Sequence, residues 1–495
     1  MAGKYFHLYG GRAVIADFQR QIIDDIKGKN AMVVGLGVTS VHLIRFLASI
    51  GVCVTVCDVK NPVQLGDRIE EIGDLKVDYR FGDCYLDDLD SADLIFLSPG
   101  VNPSNAKIER ARANGVRITS EIELLFELCN APIIGITGSS GKTTTTTLTG
   151  QIMDSECKAR GRGGRTYVGG NIGTPLIEKV LDFSPEDVVV LELSSFQLKY
   201  MKKSPHVGAI LNITPNHLDV HPDMADYISA KQNVIRYQGE DDFAVLNVVN
   251  QTTNEMIDTV ESNVMPFSRL SELDKGVFLS DGDLMLRRSE DSSVEVICKR
   301  SDIQLPGDHN VENVLAAIAI CSCANARSYL MAEVIRDFRG VPHRLETVGT
   351  VNKVKYINDS ISTTPSRAMA GILAMTSPII QIAGGYDKKL PFDEMAELAV
   401  DRVKAFVLLG ATADKIQLAL EKAAKEKKVP MPTVLRASDL EEAVRIASDI
   451  ASEGDVVLLS PACASYDMFK NFDERGRAFK DKVKAMMIDQ EKVNF

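Results

Sequence analysis

No stretch of this chain approaches the ~20 consecutive apolar residues that a membrane-spanning helix needs. Its first residues, MAGKYFHLYGGRAVIADF, lack the apolar core of a secretory signal. Basic charge is not in excess either: 56 Lys and Arg stand against 68 Asp and Glu, a formal net charge of −12. With no basic field, non-specific binding to nucleic acid or to an anionic membrane is excluded. A nucleotide ligand is not excluded, because a local cradle can hold one inside an acidic protein. The nine cysteines include no metal-type CxxC pair; Cys321 and Cys323 are one residue apart, and Cys53 and Cys57 share one expected strand. Reduced, mostly buried thiols in a reducing compartment follow. The expected protein is a cytoplasmic monomer without membrane insertion. No repeat or low-complexity tract stands out beyond the five threonines at 143–147.

What is there is the composition of a globular protein, 45% hydrophobic and 25% charged. A length of 495 residues exceeds one ordinary domain, and three are expected. The most informative stretch is GITGSSGKTTTTTLT, 135–149. The apolar run 132–137 reads as a buried strand, followed by a glycine loop and a helix opening at Thr143. Loop N–H groups and the positive end of a helix dipole together make an anion cradle. Gly138, Ser139, Ser140, Gly141, Lys142, Thr143 and Thr144 are its candidate residues. Lys142 is placed beside the β- and γ-phosphates and the Thr143 hydroxyl on magnesium. The loop is shorter than the strict pattern, which would put glycine where Ile136 stands.

In the first region, 31–40 reads as a strand running into a glycine turn, and 51–58 as a second strand ending in Asp58. Gly35, Gly37 and an acid about twenty positions on resemble the dinucleotide fingerprint, with Ser40 at the third glycine. A βαβ unit that binds no dinucleotide fits equally well. A helix is expected over Ile118–Cys129. In the centre, Glu192 ends the apolar strand 187–195. An acid there costs several kcal/mol unless paired or bound to a metal, and metal binding is favoured. The loop 160–165 reads as a solvated turn. His217 and His221 have the i,i+4 spacing of some zinc sites but lack the HExxH glutamate. His217 is the magnesium candidate and His221 a surface residue. Lys231, in the helical pattern 223–238, reads by itself as solvated. Asn310 and Asn313 read either a base edge or cap the helix that follows. The last region carries a polar loop at 358–365, three further strand–loop–helix units, and a closing helix from Ala478.

Taken together, TGSSGKTT at 137–144, GGNIG at 169–173, ELSSFQL at 192–198, NHLDVH at 216–221, GDHNVEN at 307–313 and HRLE at 343–346 resemble the Mur ligase family. The resemblance covers nearly the whole chain. Within the family, 459–479 is most similar to the D-glutamate-adding branch. The fold implied is α/β in three domains. These are a Rossmann-like N-terminal domain (1–130) for the UDP substrate, a central P-loop-type ATPase domain with a parallel-rich sheet (131–341), and a Rossmann-like C-terminal domain for the amino acid (342–495). The activity implied is phosphorylation of the carboxylate of UDP-N-acetylmuramoyl-L-alanine by ATP and attack of D-glutamate on the acyl phosphate. Two Mg2+ sites are implied, one on Thr143 and Glu192 and one on His217 and a carbamylated Lys231. Asn171 would steady the reacting groups. Asn310, Asn313, Arg344 and Asp359 would contact ATP, and hinge closure would complete the site. Thr363, Lys388, Ser465 and Phe472 would hold D-glutamate. Val38 and Thr39 would hold the uridine diphosphate, where Lys60 replaces a frequent arginine. Three other readings stay open: a sister ligase with another acceptor, an NAD-dependent dehydrogenase, and a non-catalytic nucleotide binder.

Overall fold

The computed structural model describes residues 16–493 apart from 103, 216–220, 306 and 389. The chain divides into two compact units, Met1–Phe338 and Arg339–Phe495. Among the described residues it forms three sheets.

The first sheet is built from β1 (Asn30–Val34), β2 (Cys53–Asp58), β3 (Val77–Phe81), β4 (Leu94–Leu97) and β5 (Arg117–Thr119). All pairs are parallel, in the order β3-β2-β1-β4-β5. The order reverses between β1 and β4, which opens a crevice at their carboxyl ends. Asp58 is spent on its own turn: its carboxylate accepts the N–H of Leu36 at 2.7 Å and of Lys60 at 2.8 Å. That use of the acid weakens the dinucleotide reading. The helix expected from Ile118 starts instead at Glu121 and ends at Leu128, with the Ser120 hydroxyl accepting the Glu123 N–H. The residues before it pair with β4 as an edge strand, too short to register as a period.

The second sheet runs β6 (Ile133–Thr137), β7 (Thr166–Gly170), β8 (Val188–Glu192), β9 (Val207–Ile210), β10 (Phe243–Asn247), β11 (Asn263–Ser268), β12 (Gly276–Ser280), β13 (Asp283–Arg287) and β14 (Glu295–Lys299). Its order is β14-β13-β12-β11-β10-β9-β6-β8-β7. The β12–β13 hairpin turns on Asp281 and Gly282, both with positive φ (50° and 84°), as its two-residue turn demands. Helix Asp308–Cys323 is apolar nearly all round and lies in the core beside helix Lys142–Arg160. The 160–165 turn is exposed, as expected of a solvated turn, and is anchored near both ends. Arg160 pairs with the buried Glu156 at 2.9 Å, and the Arg165 N–H donates to Asp187 at 2.7 Å. The first two sheets share one apolar cluster. Polar ties join them as well: Gln19 Nε2 donates to the Val180 carbonyl at 3.5 Å, and His42 meets Glu178 at 3.0 Å.

In the second unit, β15 (Glu346–Val351), β16 (Val354–Asn358), β17 (Ile379–Gly384), β18 (Val403–Leu409), β19 (Thr433–Arg436) and β20 (Val456–Leu459) take the order β15-β16-β20-β17-β18-β19. Only the β15–β16 pair is antiparallel. The closing helix begins at Phe472 rather than Ala478. All nine cysteines are free thiols, and six of them are buried, as the sequence implies. No helix of the described residues is long and apolar enough to cross a membrane.

Candidate active site

β6 is buried at every position and delivers the chain to the Gly138–Gly141 loop at its carboxyl end. Asn212, just past β9, fixes that loop: its carbonyl accepts the Ser139 N–H and its Oδ1 the Ser140 N–H, both at 2.9 Å. Lys142 Nζ donates to the carbonyls of Gly138 (2.8 Å) and Ser139 (3.2 Å). Helix Lys142–Arg160 then opens with its first N–H groups directed out of the helix end, the geometry of an anion site. Thr143 and Thr144 stand half-buried in this first turn. Gly141 has φ +81°, and a Cβ there would lie 2.2 Å from Asn313 Oδ1. Gly141→Ala therefore combines a left-handed strain of about 1–2 kcal/mol with a forced shift of Asn313. The expected result is nucleotide binding weakened at least about tenfold, read by calorimetry, with Tm lowered by roughly 3–6 °C.

Of the two sequence readings for the candidate asparagines, the structure sets aside the helix cap. Neither side chain caps helix Asp308–Cys323. Asn313 is buried, accepts from the Thr145 hydroxyl at 3.5 Å and donates to Asn310 Oδ1 at 3.1 Å. It buttresses the phosphate loop.

Glu192 ends β8, the strand beside β6, and is 2% exposed. Its Oε1 accepts the Asn171 amide at 2.8 Å. Its Oε2 is buried with no hydrogen-bond partner, and among the described residues the carboxylate makes no ion pair. Asn171 is held in turn because its N–H donates to the Glu192 carbonyl at 2.8 Å. Gly170 makes that approach possible: at φ +88°, a Cβ there would meet the same carbonyl at 2.2 Å. An orphaned anionic oxygen beside a phosphate cradle suits a hard cation, and Mg2+ takes one or two carboxylates plus phosphate oxygens rather than a full protein cage.

Lys231 overturns the solvated reading. It is 2% exposed on helix Met224–Gln232, with Nζ donating to the Gly138 carbonyl at 2.9 Å and Thr137 Oγ1 at 3.2 Å. Burial, reinforced by the Lys142 cation and partly offset by Glu192, lowers its pKa to about 7. The structure thus brings the phosphate loop, Asn171, Glu192, Lys231 and Asn313 together. His217 lies outside the described residues. His221 is not a surface residue: it is 1% exposed, and both ring nitrogens are engaged.

A cleft of about 720 Å³ opens between the first sheet and the central one. Thr39, Ser98 and Asn102 line one wall, and Gln197, Lys199 and His221 the other. Thr39 faces it, whereas Val38 is 52% exposed and is not among the lining residues. Lys60 is exposed, and its backbone N–H serves Asp58.

In the second unit the candidates gather at the carboxyl ends of β16, β17 and β20, where the strand order switches. Asp359 is buried. Its carboxylate accepts from Ser362 (2.6 Å), Ser460 (2.8 Å) and the Leu345 N–H (3.2 Å). Burial raises its pKa against these bonds and against the nearby Arg344 cation. Arg344 is exposed on a turn whose neighbours His343 and Leu345 both hold positive φ. Tyr386 bridges to Ala464, which draws the Lys388 loop toward Ser465. Partial burial of the ammonium, together with Arg367 and Arg475, lowers the Lys388 pKa. Ser465 is buried, Thr363 half-buried, and the Phe472 ring half-exposed near His343. Arg475 was not foreseen. It is 3% exposed and donates to Ser360 and to the Cys463 carbonyl, with its pKa pushed by burial to about 10. Lys388, Arg367 and Arg475 make this end a cationic one, suited to a carboxylate-bearing ligand.

A phosphate loop on a parallel-rich sheet, in a chain that also carries two further α/β sheets, marks a nucleotide-dependent enzyme. Family descriptions match in the same order: Mur ligase MurD-like N-terminal domain over 29–120, Mur ligase middle domain over 136–321, and Mur ligase glutamate ligase domain over 343–463. The chain belongs to the Mur ligase family. It is 44% identical to the UDP-N-acetylmuramoylalanine–D-glutamate ligase of Clostridium novyi (strain NT), over 93% of this chain and 97% of that one. The enzymes of the same name from Clostridium kluyveri and Symbiobacterium thermophilum are 45% and 44% identical, over 93% and 92% of this chain and 98% of each relative.

Proposed function

We propose that the protein is an ATP-dependent ligase that joins D-glutamate to UDP-N-acetylmuramoyl-L-alanine in peptidoglycan precursor synthesis. The observation that carries the reading is the single cluster of phosphate loop, Glu192 with its unpartnered Oε2, and buried Lys231. The near-full-length likeness to ligases of that name supports the choice of substrates.

A carboxylate is a poor electrophile, so its oxygen first takes the γ-phosphoryl group of ATP as the bond to ADP breaks. The amine then attacks the acyl carbon, a proton leaves the nitrogen, and phosphate departs with the C–O bond. The protein's contribution is positioning and electrostatics. Gly138 to Thr144 hold the triphosphate, with Lys142 on its γ end. Thr143 and Glu192 are the first metal position, and His217 with a carbamylated Lys231 the second. Magnesium held by these residues would supply positive charge against the phosphoryl oxygens. Asn171 orients the Glu192 carboxylate. The cleft beside Thr39 takes the UDP substrate, the domain divisions being 1–130, 131–341 and 342–495. On the second unit, Arg344 and Asp359 serve ATP, and Lys388, Thr363, Ser465 and Phe472 serve D-glutamate.

The test is phosphate release from ATP with Mg2+ and UDP-N-acetylmuramoyl-L-alanine, adding D-glutamate, L-glutamate, L-lysine or meso-diaminopimelate in turn. Release with D-glutamate alone is expected. Release with a different amino acid would overturn the assignment of Lys388, Ser465 and Phe472, and silence with all four would overturn the acceptor.

A further inference from the structure

His221 sits where three parts of the candidate site meet. Its Nδ1 is 2.6 Å from Asp226 Oδ2 and its Nε2 is 2.9 Å from Ser195 Oγ. Its ring stacks on Phe196 with centroids 5.4 Å apart and takes the edge of Tyr227 at 5.2 Å. The partners belong to different elements. Ser195 is on the turn three residues past Glu192, and Asp226 is on the helix that carries Lys231. Tyr227 reaches the phosphate loop, with its hydroxyl 3.0 Å from Ser139 Oγ. The same imidazole lines the cleft together with Phe196, Gln197 and Lys199. Lys199 closes the arrangement by donating to Asp226 Oδ2 at 2.8 Å.

The chemistry of the ring suits a strut. Beside a carboxylate, Nδ1 carries the proton and donates, which leaves Nε2 to accept from the Ser195 hydroxyl. A phenyl ring would fill the same volume but deprive the Ser195 hydroxyl of this partner and leave the Asp226 side chain to Lys199. The Ser–His–Asp order resembles a hydrolytic triad, but Ser195 is 2% exposed and Lys199 neutralises Asp226. We infer that His221 is a positioning residue that sets the spacing of Glu192 against Lys231 and the phosphate loop, and ties that spacing to the cleft wall. The inference rests on the ligase reading above.

Three variants test it. His221→Ala removes the whole strut, His221→Asn keeps a donor for Asp226 but not the acceptor for Ser195, and Ser195→Ala removes one contact. Each is checked for folding by its thermal transition. Two readouts follow: kcat and KM in the D-glutamate reaction, and Mg2+ affinity by calorimetry with a non-hydrolysable ATP analogue. His221→Ala should lower kcat about thirtyfold and weaken Mg2+ about tenfold, with the nucleotide-sugar KM changed less than about threefold. His221→Asn should fall between it and wild type. The effects of His221→Asn and Ser195→Ala should not add in the double variant, because they break the same contact. Folded His221→Asn and Ser195→Ala proteins with wild-type kcat and Mg2+ affinity would overturn the inference. So would loss of turnover in Ser195→Ala with Mg2+ affinity intact, which would make Ser195 a chemical participant. If wild type itself fails to turn over, the ligase reading falls, while the Mg2+ titration still reports on the strut.

Discussion

Replacing Glu192 by Gln should lower kcat for phosphate release about a thousandfold while leaving Tm unchanged or raised, a loss of roughly 4 kcal/mol of transition-state stabilisation. The asymmetry follows from the two carboxylate oxygens. Oε1 accepts from Asn171, and a glutamine carbonyl can do the same. Oε2 is buried with no hydrogen-bond partner, so without a cation that oxygen goes unsatisfied in the wild-type chain. A neutral amide is cheaper to bury, and folding does not suffer. What is lost is an anionic oxygen for a divalent ion at the carboxyl end of the sheet, where the phosphoryl charge builds up. Kinetics over a range of Mg2+ concentrations, with a thermal scan alongside, separate the outcomes. A glutamine variant that loses stability in step with activity would return Glu192 to the structural ion-pair acid that the sequence also allowed.

Glu192 was legible because an acid ending a run of four apolar residues has few cheap explanations. The phosphate loop was legible because glycine, lysine and threonine carry their roles in their spacing. The same holds for the hairpin at Asp281-Gly282 and for the buried helix after Asp308. What escaped has a common physical cause. β5, with three residues, and β19, with four, are edge strands whose pairing supplies what periodicity does not. β7 ends in two glycines, which gives no strand signal, yet a Cβ on Gly169 would meet Leu176 at 2.7 Å and one on Gly170 the Glu192 carbonyl at 2.2 Å. Those glycines record close packing, not a bend in the chain. His221 and Arg475 both look solvated in their polar surroundings. Their burial depends on partners brought in by the fold: Ser195 for the first, and Ser360 and Cys463 for the second. A single sequence shows the residue and not the partner. Lys231 is the sharpest case, since a lysine on a polar helix reads as solvent-facing until the sheet end it covers is known.

For Lys231 the expected result is the loss of about a thousandfold in kcat on replacement by Ala, with no recovery in Lys231→Arg. A free lysine titrates near 10.4, so at pH 7.5 only about one amine in a thousand is neutral. With its pKa brought down to about 7 by burial and the Lys142 cation, most Lys231 is neutral at that pH. A neutral amine can attack carbon dioxide, lose a proton and become an N-carboxylate, which would place an anion beside the Lys142 cation. Arginine cannot supply that amine, because its guanidinium stays protonated. The sign of the pH dependence follows. Between about pH 7 and 10.5 the unfolded chain holds the Lys231 proton and the folded one does not, so stability rises with pH across that window. Below about pH 7 both states hold the proton, and the cost of burying the cation is felt in full. Activity should therefore fall as pH drops below 7, fall at neutral pH when bicarbonate is stripped from the buffer, and return when it is restored. Lys231→Met should lack the stability slope. The decisive measurement is isotope-labelled bicarbonate followed by magnetic resonance on fully active enzyme: a carbamate signal present in wild type and missing in Lys231→Ala supports the role, and an unmodified Lys231 at full activity rules it out.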